Sequence, residues 1–563
     1  MAVDRLLEPF GVVRDSMCDF SFGQWVPPAA VTISQAPTSP RPVCHHVEMR
    51  FRLLAAILLT AASLCAQTTA PFEVTEATIG QVHSAMRGGK LTCRALVDAY
   101  LRRIAAFDKN GPALNAIVTL NPDATKDADE LDRRFAQSGL TGPLHCVPMI
   151  VKDNFETQGL QTTDGALAFA GYQPRADATQ VARAKAAGAI VLAKSNMAEW
   201  AFSPVETVSS ILPGYTKNPY ALDRVTAGSS GGTAASIAAS FGLIGFGSDT
   251  GDSIRGPASH QALVGIRSTM GLTSRAGVFP LNLRADIAGP IARTMEDAVK
   301  LFQVIVGEDA RDAVTAAAKS HAIPDYSKAL DRNGLKGAVI GVLHEAYERN
   351  STDPEIVQVF QGALDELRRL GATVVDPAKI DGLAGVRRQQ GAGACMGFKY
   401  DLNHFLADRT GQVPMADLTA ILRSNRYHPS VQKRLEDAEK VADNGPDSPA
   451  CQADATYRQQ YGEAVTKTMD QLKLDAFVYP TWSNPPRLIG DLNTPGGDNS
   501  QVYSPTTGFP AINVPMGYSR GTLPVGITFF GRAWAEEQLI RLAYAYEQGT
   551  QHRRPPASTP PLR

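Results

Sequence analysis

Apolar residues recur every four positions early in the chain, at Leu96, Tyr100 and Ile104 of "RALVDAYLRRIAAFDKNGPAL", and Gly111-Pro112 ends the run. That spacing predicts an amphipathic helix with a stop signal behind it. A second helix is predicted in "KDADELDRRFAQ" from Lys126. Elsewhere the apolar residues bunch. "GAIVLAKSN" from Gly188, Val147–Val151, "LDAFVYPT" and "AINVPMG" are short apolar runs that predict buried strands. "GLKGAVIGVLHE" followed by "PEIVQVFQGALDELRRLGATVVDP" reads strand, helix, strand, with Ile356, Phe360, Leu364 and Leu367 on one helical face and Gly371 closing it. Alternating strands and helices predict one large α/β domain with a mixed, largely parallel central sheet covered by helices. It is placed within 67–563, its core running from about Ala70 to Gln551 with a Pro-rich tail behind.

The N-terminal region breaks this pattern. From Met49 the chain reads "MRFRLLAAILLTAASLCAQTTAPF": Arg50 and Arg52, an apolar run from Leu53 to Leu64, then small residues. This is the layout of a secretory signal peptide over 49–66, with cleavage expected near Ala62–Ala66 and a periplasmic or secreted product. The run is too short to anchor the chain stably in a bilayer. A buried helix of the mature fold is the alternative. Lipid attachment through Cys65 is disfavoured by the bulky Leu64. Residues 1–48 hold Pro27, Pro28, Pro37, Pro40 and Pro42 without an apolar period, and are read as a start-site misassignment or a disordered leader.

Composition narrows the function. A 44% hydrophobic, 20% charged chain of net charge -1, without a lysine/arginine run, is globular and lacks the basic surface that nucleic acid requires. Export would make cysteine pairing permissible. Cys93, Cys146, Cys395 and Cys451 allow three pairings, and sequence cannot choose among them. The Gly/Pro/Asp-rich surroundings favour Cys395 with Cys451, though four free buried thiols fit as well. No CxxC or HExxH occurs, so no metal and no other cofactor is expected. Oligomeric state is unreadable.

The chemistry gathers in "AGSSGGTAASIAASFGLIGFGSDTGDSIRGPA", Ala227 to Ala258. Gly247 and Gly251 let successive N–H groups converge beside Ser253, a geometry suited to a developing oxyanion. Serine needs a base, and nearby only His260 is in sequence reach. Another candidate ends the apolar run in "GPLHCVPMIVKDNFET". Lys152, delivered into the interior by a strand, would lose its charge to desolvation and become a base. A surface lysine at a strand end is the plainer reading.

Together, "GSSGGTAAS", "GSDTGDSIRGPA", "GPLHCVPMIVKDN", "VLAKSNMAEWA" and "LPVGITFFGRAWAEEQLIRLAYAYEQ" resemble the amidase signature family over roughly Phe72 to Pro555. The resemblance implies that Ser253 is the nucleophile, Ser229 a bridging serine after a cis peptide bond, and Lys152 the base. It implies an oxyanion hole from the N–H groups of Thr250, Gly251, Asp252 and Ser253, with Ser230, Asp249 and Arg255 in support. The expected partner is a small-molecule or peptide amide, with a preference for peptide C-terminal amides from the closing segment.

Three departures stand out. Asp252 and Cys146 occupy positions where many members have glycine, and Gly256 follows Arg255 where other branches differ. Asp252 is expected to point away from the oxyanion. Rival readings are three. "GSSGG" fits G-x-S-x-G, which would make Ser230 the nucleophile with His404, His428 or His552, but no HGG loop is present. The family also includes the glutaminase component of a tRNA-dependent amidotransferase, a cytosolic role at odds with export. The third is a secreted binding protein with a dead pocket. Substrate-pocket residues are expected between about Val386 and Pro449.

Overall fold

A computed structural model describes residues 72–382, 395, 397–441 and 445–562. The leader and signal-peptide readings over 1–66 lie outside the described residues. So do residues 386–394 of the stretch expected to hold the substrate pocket. The strands are β1 (Ile117–Leu120), β2 (Val147–Lys152), β3 (Ala189–Ser195), β4 (Ile244–Asp249), β5 (Val264–Arg267), β6 (Ile287–Ala292), β7 (Val339–Val342), β8 (Thr373–Val375), β9 (Ala476–Pro480), β10 (Ala511–Ser519) and β11 (Leu523–Phe530). They form one eleven-stranded sheet in the order β1-β3-β2-β4-β6-β5-β10-β11-β9-β7-β8. The mixed sheet of an α/β domain is therefore present.

Its parallel pairs fall in two blocks, β3-β2-β4 and β9-β7-β8. The stretch between them, from β4 through β6, β5, β10 and β11 to β9, is antiparallel. Parallel pairing is thus less extensive than strand–helix alternation suggests. Only Arg520, Gly521 and Thr522 join β10 to β11, too few for the crossover a parallel pair needs.

The early helix spans Cys93–Phe107, its first turn capped by the Thr92 hydroxyl accepting from Ala95 N–H. Leu96, Tyr100 and Ile104 are buried as their spacing requires. Helix Pro354–Arg369 starts behind an Asp353 cap and buries Ile356, Phe360, Leu364 and Leu367. Every residue of β2, β3 and β4 is buried, the signature of parallel strands covered on both faces. The Pro-rich tail is fastened to the body: the buried Arg103 guanidinium donates to Thr559 O and Pro560 O at 2.8 and 2.9 Å. Helices Phe398–Ala407, Leu418–Ser424 and Gln432–Lys440 build a second core with Phe169, Trp200, Phe202 and Phe279.

Both disulfides form, Cys93–Cys146 and Cys395–Cys451, with Cα separations of 5.6 and 4.5 Å. Cys146 has a φ of 57°, a left-handed conformation that glycine adopts most freely, which accounts for glycine being frequent at this point. Here the disulfide holds the residue and fastens the start of β2 to helix Cys93–Phe107. Removing both sulfurs (Cys93→Ala with Cys146→Ala) is expected to cost about 2–4 kcal/mol. Thermal unfolding with and without reductant checks this: reductant should lower the melting temperature of the parent far more than that of the double variant.

Candidate active site

The register Val151↔Phe246 sets the carboxyl ends of β2 and β4 side by side, the edge where open α/β sheets present their chemistry. Lys152 ends β2 and is fully buried. Its Nζ lies 2.6 Å from Ser229 Oγ and 2.8 Å from Ser248 Oγ. Asn154 Nδ2 donates to the same Ser248 hydroxyl at 2.9 Å. Nothing in the sequence reading singles out Ser248 or Asn154. Both stand inside the quoted motifs, and strand alternation sets Ser248 on the face opposite Asp249.

Ser229 follows a cis peptide bond from Gly228 and precedes helix Gly231–Ala238. The surrounding glycines permit close packing. A Cβ at Gly228 would meet Ser203 O at 2.3 Å, and one at Gly232 would meet Asn196 O at 2.2 Å. Ser230 donates its hydroxyl to Ser248 O at 3.3 Å and its N–H to Ser253 O at 3.3 Å, which ties the two serine segments together. Ser253 is 5% exposed, whereas Ser229 is sealed.

Asp249 and Arg255 frame the loop between them. Arg255 Nε and Nη2 donate to the two Asp249 carboxylate oxygens at 3.1 and 3.3 Å, and Nη2 donates to Gly251 O at 2.6 Å. Arg267, also buried, binds Asp249 from the other side. Burial alone would raise the Asp249 pKa, but the two guanidiniums hold it below the usual carboxylate range. The Thr250 hydroxyl bonds Asp286. Among the described residues, the N–H groups of Gly251, Asp252 and Ser253 donate to no protein acceptor.

Burial pushes the Lys152 amine down to about 7, against the opposing pull of Asp164, Asp249 and Asp286. At neutral pH a large share of this lysine is therefore uncharged. With one N–H donated to Ser248, its lone pair is free to face the Ser229 proton.

The histidines of the elbow reading lie elsewhere. His404 bonds Tyr400 O, His428 bonds Ser430, and His552 bonds Glu366. None of them bonds Ser230. His260 is buried beside Trp482, with ring centroids 4.6 Å apart. No described group of three or more His, Cys, Asp or Glu side chains is placed to hold a metal. No described helix is long and apolar enough to cross a membrane.

The family model described as Amidase matches residues 95–540. A protein of Arabidopsis thaliana described as a probable amidase is 34% identical over 505 residues, 86% of this chain and 92% of that protein. One component of the glutamyl-tRNA(Gln) amidotransferase of Prochlorococcus marinus is 31% identical, over 84% of this chain and 96% of its own length. The solved peptide amidase from Stenotrophomonas maltophilia superposes with a TM-score of 0.75 at 35% identity, over 85% of this chain and 98% of that one.

Proposed function

The chain belongs to the Amidase family, and from that premise we propose that it cleaves carboxamides through a serine acyl-enzyme built on Ser253, Ser229 and Lys152. The observation that carries this reading is the 2.6 Å approach of a fully buried lysine amine to Ser229 Oγ. In the reaction, neutral Lys152 accepts the Ser229 proton, Ser229 accepts the Ser253 proton, and Ser253 Oγ adds to the amide carbonyl. The unbonded N–H groups of the 250–253 loop supply donors for the oxyanion, each worth about 3 kcal/mol in comparable sites. The relay then returns a proton to the departing amine, and water releases the acid by the same route. Arg255 and the Asp249 carboxylate, bound to one another, hold the loop that carries Ser253.

The preferred substrate is a peptide C-terminal amide, a reading supported by the likeness to a solved peptide amidase. The signal-like segment and the two disulfides support an exported enzyme. A panel of peptide amides, fatty amides, anilides and free glutamine, scored by ammonia or amine release, tests the assignment. Peptide amides are expected to give the highest kcat/KM. Turnover of glutamine alone would favour the glutaminase role, which the similarity to the Prochlorococcus marinus amidotransferase keeps in play.

A further inference from the structure

Asp252, between oxyanion-loop residue Gly251 and Ser253, buries its carboxyl and is 1% exposed. It passes over Gly256: a Cβ there would stand 2.4 Å from Asp252 Oδ2 and 2.8 Å from Trp482 Nε1, so the bare glycine makes room for the carboxyl. Neither Asp252 oxygen receives a hydrogen bond from any described N–H or hydroxyl donor. The nearest cation, Arg255 Nη2, stands 3.8 Å from Oδ1 and is committed to Asp249 and Gly251 O. What Asp252 faces instead is a second carboxyl, that of half-buried Asp498, brought to it by the Trp482–Asp498 bridge, since Trp482 Nε1 and Asp252 Oδ2 stand over the same Gly256. Two carboxylates cannot bond one another unless one carries a proton, and two adjacent carboxylates shielded from water repel.

Asp498 opens a short loop that closes over the site. It accepts from Ser500 N–H at 2.9 Å and from Gln501 Nε2 at 2.6 Å. Gln501 in turn lies over the oxyanion loop, its Cγ 3.3 Å from the Cβ position of Gly251. Ser500 O receives Arg255 Nη1 at 3.4 Å.

We propose that Asp252 and Asp498 share one proton and that this proton latches the 498–501 loop onto the oxyanion loop, making the pair positioning residues for attack by Ser253. The inference rests on Ser253 being the nucleophile. When the pH rises, the shared proton passes to solvent, two carboxylates are left facing each other, and the loops part. The other groups facing the pair do not supply this transition. Asp249 is held ionised by Arg255 and Arg267, burial pushes His260 down to about 3, and burial pushes Tyr479 up to about 12.

The test compares kcat against pH for the parent and for Asp498→Asn, whose amide donates at every pH. In the parent, kcat should fall by about tenfold per pH unit on the alkaline side. In Asp498→Asn it should change by less than about twofold across the same range. Asp252→Asn, the reciprocal exchange, should flatten the same limb. Superimposable alkaline limbs in all three would overturn the proposal. A second readout needs no turnover: on a Ser253→Ala background, infrared spectra should lose one protonated-carboxyl band on Asp498→Asn. Unchanged spectra would overturn the shared proton even in an active enzyme. An absence of any amide hydrolysis, with the band present and lost as expected, would instead strike at the proposed function.

Discussion

Replacing Lys152 by methionine is expected to lower kcat by about 10²- to 10⁴-fold, the range for loss of a positioned general base, while making the protein more stable. The two effects have one cause. The amine is sealed from solvent and its pKa is depressed from 10.5 to about 7. The unfolded chain binds the proton more tightly than the folded one, so folding at neutral pH works against protonation. A gap of that size corresponds to roughly 5 kcal/mol, as an order of magnitude, at 1.36 kcal/mol per pH unit. The sign follows directly. Above the unfolded value near 10.5 the lysine is neutral in both states and the penalty is absent; it grows as pH falls and is complete below about 7. Methionine has a similar length and no charge to lose, so its advantage should be largest at neutral pH and shrink toward alkaline pH. Melting temperatures of parent and variant across that range check the claim. Equal melting temperatures at all pH values would mean that the lysine is not held neutral, and an undiminished kcat would remove it as the base. In the parent, the acidic limb of kcat should rise through about 7 for the same reason.

How much of this is legible in the sequence depends on the range of each interaction. Local periodicity locates helices Cys93–Phe107 and Pro354–Arg369 and the buried strands β2, β3 and β9, because burial of one face is written residue by residue. Strand direction is harder to read: β5 and β6 pair antiparallel across a long connection whose path no local pattern reveals. At the site, Lys152 and Ser229 stand out through motif and family likeness, yet their 2.6 Å approach joins residues 77 positions apart. Ser248 escapes notice because a serine before an aspartate looks like an ordinary turn, and only the fold sets it against Nζ. The sequence suggests only where the Asp252 carboxyl does not go. Its actual seat depends on the bareness of Gly256 and on Asp498, far along the chain. Such pairings are long-range and polar, and they leave no periodicity to detect.

Exchange of the serines should separate their roles through the size of each loss. In the proposed reaction Ser253→Ala removes the atom that forms the acyl bond, and a loss of about 10⁶ in kcat is expected, as for the serine of known catalytic triads. In the same proposed scheme Ser229→Ala leaves the nucleophile but breaks its proton route to Lys152, whose amine contacts Ser229 and Ser248; the expected loss is about 10²- to 10⁴-fold. Ser230→Ala deletes one buried hydroxyl donating to Ser248 O. It should cost about 0.5–1.5 kcal/mol of stability for the lost hydrogen bond, because Lys152 Nζ still faces that carbonyl at 3.5 Å, with kcat lowered far less than in the other two. A fluorophosphonate provides a check independent of substrate choice. It should label the parent stoichiometrically, label Ser229→Ala slowly and leave Ser253→Ala untouched. The opposite ranking, with Ser230→Ala inert and Ser253→Ala active, would move the nucleophile into the G-x-S-x-G elbow. That outcome is disfavoured by the site itself: the Ser230 hydroxyl is fully buried, hydrogen-bonded to a carbonyl and, among the described residues, bonded to no histidine, so it lacks the base and the exposure that the elbow requires.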